Sequence, residues 1–231
     1  MVIFDNGMLY DCKPSPKLFI VMGCPGVGKG TLIKRLLSEF EPMHEMTSEA
    51  SHACKTSSEV IKTLPRHKFN YIEMGAIIRE KAETCPEIKA KIDAGDLISD
   101  EEAYEIIKER IRLTENNKLQ ETTILDGFPR NLMEQCFILH NFHLTHPMIQ
   151  IEVIEIVADE ETCRERVMRR SEIEGRPDDQ GDVINHRLVL YFQVAEQMKG
   201  FFNSVMKIKL HRIENIDLEK AYSEFKKIII G

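Results

Sequence analysis

Short apolar runs alternate with longer amphipathic stretches along most of this chain. Lys17–Met22 (KLFIVM) is a compact apolar run that ends in a glycine-rich turn, the pattern of a buried strand. Leu32, Ile33, Leu36, Leu37 and Phe40 then recur at helical spacing and predict a helix from about Gly28. Order lapses over residues 41–67, which are polar and rich in Ser, Thr, Glu and His. A stretch this long without periodicity reads as a surface insertion. Beyond it the pattern predicts a strand at Phe69–Glu73, helices across Gly75–Ala94 and a helix over Asp100–Leu113 with Ala103, Ile106, Ile107 and Ile111 on one face. A strand at Thr122–Asp126, a helix from about Asn131, a strand at Ile149–Val157 and a helix over Glu160–Arg170 follow. Ser171–Gln180 is a Gly/Pro/Asp-rich break. A long helix over Val183–Phe202, a strand at Met206–His211 and a helix over Leu218–Ile229 complete the series. Strands alternating with helices in this way predict an α/β domain with a parallel sheet.

Bulk properties narrow the chemistry. The 231 residues suffice for one substantial core, with 42% apolar and 30% charged residues. No apolar run approaches the roughly 18 residues of a membrane-spanning helix, and MVIFDNGMLYDCK lacks the basic-then-apolar order of a secretory signal. The expectation is a cytoplasmic protein that engages no membrane. Six scattered cysteines with no C-x-x-C pair predict reduced, structural thiols and no zinc cluster. A net charge of −7 argues against general affinity for nucleic acid. Any phosphate site must therefore be built from locally concentrated cations.

Gly23-Cys24-Pro25-Gly26-Val27-Gly28-Lys29-Gly30-Thr31 supplies the first of them. It follows a predicted strand and opens a predicted helix, the setting in which such a loop cradles phosphates. The glycines let successive N–H groups converge on phosphate oxygens, the helix N-terminus adds its dipole, and Lys29 adds a full charge.

The form G-x-P-G-x-G-K-G-T resembles the phosphate loop of the adenylate kinase family of nucleoside monophosphate kinases, and the resemblance extends from Lys17 to the last helix. Asp126-Gly127-Phe128-Pro129-Arg130 is similar to that family's D-G-[FY]-P-R signature. Tyr71–Arg79 (YIEMGAIIR) resembles the start of its monophosphate-binding region, with Gly75 and Arg79 matching but Glu73, Met74 and Ala76 departing. Ala94–Asp100 (AGDLISD) resembles the A-G-x-L-[VI]-x-D segment that lies against the acceptor base. Arg166–Asp179 resembles the short lid, R-x-x-x-R-G-x-x-x-G-R-x-D-D, with Ser171 in place of its first glycine, and Arg187 falls at the next arginine.

The resemblance implies a P-loop NTPase fold: a five-stranded parallel sheet flanked by helices, with a monophosphate-binding arm and a short lid. Its implied divisions are an extension at 1–16 and one kinase domain at 17–231. Within that domain lie a core (17–40, 99–169, 180–231), the insertion, an arm at 73–98 and a lid at 170–179. The implied catalytic set is Lys29, Arg130, Arg170, Arg176 and Arg187. ATP would meet Gly26, Val27, Gly28, Lys29, Gly30, Thr31 and Arg166, the last stacking on adenine. The acceptor would meet Met74, Gly75, Arg79, Asp96, Leu97, Ile98, Gly127, Arg130, Gln135, Arg176 and Arg187. Asp126 would hold Mg2+ through water, as suits a cation that keeps its hydration shell. The implied partners are ATP, ADP and a nucleoside monophosphate, met by a monomer. Loose phosphoryl-transfer transition states need positioning and charge rather than a strong base, which accords with the lack of a Ser/His/Asp or Cys/His constellation.

The acceptor base is less plainly written. Adenylate kinases carry Gln four residues after the Arg of D-G-F-P-R, and pyrimidine kinases carry Asn there and often read D-G-F-P-R-N. This chain has Asn131 directly after Arg130, then Glu134 with Gln135 beside it. The surrounding segments resemble adenylate kinases more closely, so AMP is the expectation. A UMP/CMP kinase is the alternative, and a catalytically weak nucleotide-binding relative is an alternative of another class. Asn117-Lys118-Leu119-Gln120 lacks the final Asp of a GTPase N-K-x-D motif.

Overall fold

A computed structural model describes residues 2–5, 8–11, 15–40, 69–131, 135–175, 179 and 181–231. The predicted insertion at 41–67 lies outside the described residues, as does Arg176. Two short strands, β1 (Val2–Asp5) and β2 (Met8–Asp11), form an antiparallel hairpin that the sequence pattern did not predict.

The main sheet is built from β3 (Lys17–Met22), β4 (Phe69–Glu73), β5 (Thr122–Asp126), β6 (Gln150–Val157) and β7 (Lys209–Glu214). Its order is β4-β5-β3-β6-β7 and every pairing is parallel. β3 is the central strand, and everything after Lys17 in it is buried. That explains why its sequence is continuously apolar rather than alternating. Leu18 and Ile20 point into one layer with Ile106, Leu125 and Phe202. Phe19 and Val21 point into the other with Leu36, Val167 and Phe225.

Helices cover both faces: α1 (Lys29–Phe40), α2 (Met74–Ala82), α3 (Pro86–Ala94), α4 (Asp100–Arg110), α5 (Gln135–Thr145), α6 (Glu160–Glu174), α7 (Gly181–Phe201) and α8 (Leu218–Ile230). None of the described helices is long and apolar enough to cross a membrane. Ser99 and Glu102 close a capping box at the start of α4, and Gly95 ends α3 in the left-handed region.

Several boundaries differ from the pattern. The expected break at Ser171 is still helix: α6 runs on to Glu174 and stops where Gly175 turns left-handed. Ser171 therefore continues a helix instead of forming a hinge. α7 passes into a π-helical turn at Phe202–Met206, ended by Lys207 with φ 52°, so β7 starts at Lys209 and not at Met206. Hydrophobicity alone does not register such a turn, because Phe202 and Met206 are buried whether helical or extended.

From β3 the chain goes out to β4, returns to β5, and then crosses to β6 on the opposite flank. Strand order thus reverses at β3, and the crevice beyond the carboxyl ends of β3, β5 and β6 is where ligands bind in sheets of this kind.

Candidate active site

The glycine loop leaves β3 at this reversal and lies directly on α6. Gly26 has φ +81°, and a Cβ there would stand 2.1 Å from the Cys163 carbonyl oxygen and 2.7 Å from Val167 Cγ2. Only glycine fits such a position. Beneath the loop the Cys24 and Cys163 thiols meet at 2.8 Å, both buried and neither in a disulfide. Two thiols described as scattered by the sequence are thus neighbours.

Lys29, the first residue of α1, folds back over the loop and donates to the Gly23 carbonyl at 2.8 Å and the Cys24 carbonyl at 3.2 Å. Burial pushes its ammonium below its ordinary range; the Asp126 carboxylate opposes that shift, while Arg130 and Arg187 add to it. Asp126, at the end of β5, is pushed up by burial and held back by Lys29. Charged groups from two other stretches of chain, Asp126 and Arg130 from one and Arg187 from another, thus act on Lys29.

A clasp from the far end of the sequence secures the loop's outer side. Asn215 follows β7; its main-chain N–H donates to the Val157 carbonyl at 2.8 Å and its Nδ2 to the Val27 carbonyl at 2.6 Å. Arg166 on α6 donates to the Asn215 carbonyl at 3.1 Å and the Val27 carbonyl at 3.4 Å.

On the opposite side Arg79 and Arg130 converge over Gly75. A Cβ on Gly75 would lie 3.1 Å from Arg79 Nη1 and 3.8 Å from Arg130 Nη2. Arg130 Nε donates to the Gly127 carbonyl at 2.8 Å, and Arg79 Nη2 pairs with Glu73 Oε1 at 3.2 Å. Farther out, Asp179 is fully buried and accepts from Arg170 at 2.6 and 2.7 Å and from Arg187 at 2.7 Å. Arg187 sits between buried Ile184 and Leu188, so the anion partner its position demands is Asp179.

Lys29, Asp126, Asn215, Arg79, Arg130 and the three arginines of α6 and α7, Arg166, Arg170 and Arg187, line a single cleft of about 780 Å³. Of the predicted site residues it brings together Gly26, Gly28, Lys29, Gly30, Thr31, Gly75, Arg79, Leu97, Asp126, Gly127, Arg130, Arg166, Arg170 and Arg187. Val27 contributes its carbonyl to the clasp while its side chain is buried. A smaller recess beside the cleft is lined by Met74, Asp96, Leu97 and Ile98. Gln135 opens α5, but its side chain lies outside the described residues.

Residues 56–207 match the family model described as adenylate kinase. The chain belongs to the adenylate kinase family. An adenylate kinase of Nitratiruptor sp. is 30% identical over 213 residues, covering 90% of this chain and 90% of that protein. One from Maricaulis maris is 30% identical over 191 residues, covering 82% of this chain and 87% of its own. Human adenylate kinase isoenzyme 5 is 24% identical over 196 residues, which is 82% of this chain and 29% of that longer protein. As an adenylate kinase family member, the protein is a phosphotransferase that phosphorylates a nucleoside monophosphate.

Two residues of the site escaped the sequence reading. Asp179 was visible within the R-P-D-D segment, but its role as shared counter-ion follows only from the meeting of α6 and α7. Asn215 carries no motif, and its contact with Val27 spans 188 positions.

Proposed function

We propose that the protein moves the terminal phosphoryl group of ATP onto AMP, giving two ADP, with Mg2+ as cofactor. The observation that carries this is the convergence of Lys29, Arg79, Arg130, Arg170, Arg187 and Asp126 on the one cleft that the glycine loop lines. A concentration of cations in a largely buried cleft, in a protein of net charge −7, suits polyphosphate and little else.

In this reading the backbone N–H groups of Gly26 to Thr31 and the Lys29 ammonium hold the donor phosphates. To do so Lys29 gives up its two loop carbonyls. Arg166 lies beside the donor base, next to the exposed Ile216 and Leu218 that line the same end of the cleft. Arg79 and Arg130 grip the acceptor phosphate over Gly75. Arg170 and Arg187 come in from the outer side and, with Arg176, neutralise charge developing on the transferred group, the dominant contribution in this kind of transfer. The arm at 73–98 and the lid at 170–179 close to exclude water, which would otherwise take the phosphoryl group.

Mg2+ fits the residues present. Asp126 is a buried carboxylate at the end of β5 that also lines the cleft, its pKa raised chiefly by burial and then by the neighbouring Glu73. One such ligand suits a cation that retains most of its water. When bound, the ion would neutralise the donor phosphates, leaving Asp126 to orient its water shell.

AMP is favoured over a pyrimidine acceptor because the Ile92–Gly95 and Gly175–Leu188 stretches resemble adenylate kinases more closely. The Asn131 side-chain amide donates to Asp100 at 2.9 Å, tying the strand-end turn to the first turn of α4. Assaying phosphoryl transfer from ATP to AMP, CMP, UMP and GMP, with and without a magnesium chelator, tests the proposal. AMP should be the best acceptor and chelation should abolish turnover. A preference for CMP or UMP would overturn the AMP assignment, and magnesium-independent transfer would overturn the role of Asp126.

A further inference from the structure

Glu73, one of the three departures from the family motif, introduces a carboxylate at the acceptor side. It is the last residue of β4 and pairs in register with Asp126 at the end of β5. Its side chain is 23% exposed and turned toward the site. Oε1 accepts from Arg79 at 3.2 Å, and Oε2 lies 3.3 Å from the Tyr71 hydroxyl, which is also 3.4 Å from Asp126 Oδ2. Tyr71 has one proton to donate and two carboxylates to serve. Its own ionisation is suppressed, first by burial and then by those two neighbours.

Glu73 is therefore held from two directions in an ordered position. The guanidinium it engages is the one that stands over Gly75 together with Arg130. This arrangement has two electrostatic effects on an incoming phosphate. Part of the positive charge of Arg79 is already compensated, and a fixed negative charge stands beside the place the phosphate must occupy. Like charges at such separation in a partly buried site disfavour binding appreciably. A neutral side chain at position 73 would do neither.

We propose that Glu73 sets the affinity of the acceptor subsite: it weakens the grip on the monophosphate's dianionic group, so that the subsite fills only at high acceptor concentration and empties readily. The inference rests on the proposed acceptor role of Arg79 and Arg130. It concerns the phosphate common to all nucleoside monophosphates and so does not depend on which base is preferred.

The test uses the full chain and two variants, Glu73→Gln and Glu73→Ser, with whichever of AMP, CMP, UMP and GMP the wild-type protein phosphorylates best. In both variants the KM for that acceptor should fall about tenfold, the scale of one removed charge in a half-buried site. The KM for ATP should not change and kcat should not rise. Titration of the acceptor alone in a calorimeter should show the same tightening, and thermal melts confirm that the variants are folded. An unchanged or raised acceptor KM in the folded variants would overturn the proposal and make Glu73 an orienter of Arg79. Failure of the wild-type protein to phosphorylate any of the four would instead overturn the underlying reading, a separate outcome.

Discussion

Arg170 and Asp179 meet through both arms of the guanidinium, at 2.6 Å to one carboxylate oxygen and 2.7 Å to the other. Arg187 shares the second oxygen at 2.7 Å. One buried carboxylate thus fixes two of the cations proposed to act on the transferred phosphate, from α6 and α7 together. Asp179→Asn keeps the shape and removes the charge. It should cost about 1–3 kcal/mol in a denaturant melt, since both arginines are partly solvated. Turnover should fall about a hundredfold, because the arginines lose their common anchor. Full activity in the variant would mean that substrate alone orders them.

Lys29→Met separates chemistry from folding. The side chain is half-buried and its charge is disfavoured there, so an apolar chain of similar length should lower the melting temperature only modestly, through loss of the two hydrogen bonds to the Gly23 and Cys24 carbonyls. Transfer should drop by about 10² to 10³. A coupled assay with a parallel thermal melt distinguishes these effects.

Gly26→Ala tests the seating of the loop on α6. A methyl group would strike the Cys163 carbonyl and Val167 in a backbone conformation with φ +81°. The conformational term alone is about 1–3 kcal/mol, and relief requires lifting the loop. Both the melting temperature and ATP affinity measured by calorimetry should fall, whereas Gly30→Ala, where a Cβ meets nothing within 4 Å, should spare stability.

Acid stability should depend on Glu152, at the end of the sheet away from the loop. Burial favours its neutral form, but hydrogen bonds from Lys17 at 2.5 Å and His211 at 2.6 Å outweigh this and hold the group below its ordinary 4.5. A depressed carboxyl pKa stabilises the fold above 4.5, and that stabilisation is lost as pH falls through the folded value. The wild-type melting temperature should therefore decline below pH 4.5. Glu152→Gln should start lower at pH 7 and decline less, without altering the KM of either nucleotide.

Much of this fold was legible because its central strands are buried on both faces. Lys17–Met22 and Thr122–Asp126 stand at their predicted bounds, since an apolar run closed by a turn signal has only one comfortable conformation in a parallel sheet. The cations of the cleft were legible through motif spacing. What stayed hidden is of another kind. The π-helical turn at Phe202–Met206 keeps the same residues buried that a strand would. The pairing of Cys24 with Cys163 and the sharing of Asp179 arise where distant helices meet, and no local pattern encodes either. Glu73 was visible only as a departure; its engagement of Arg79 needed coordinates.

The Asn215 clasp bears on how the molecule comes into being during translation. Its Nδ2 reaches a carbonyl laid down 188 positions earlier. A nascent chain that has already made its glycine loop, central strand and most helices still lacks the latch that shapes the loop's outer wall. The ability to capture nucleotide is thus acquired late, once β7 has slid in beside β6. A ribosome-bound fragment stopping short of residue 209 would carry the signature sequence of a kinase without the finished pocket.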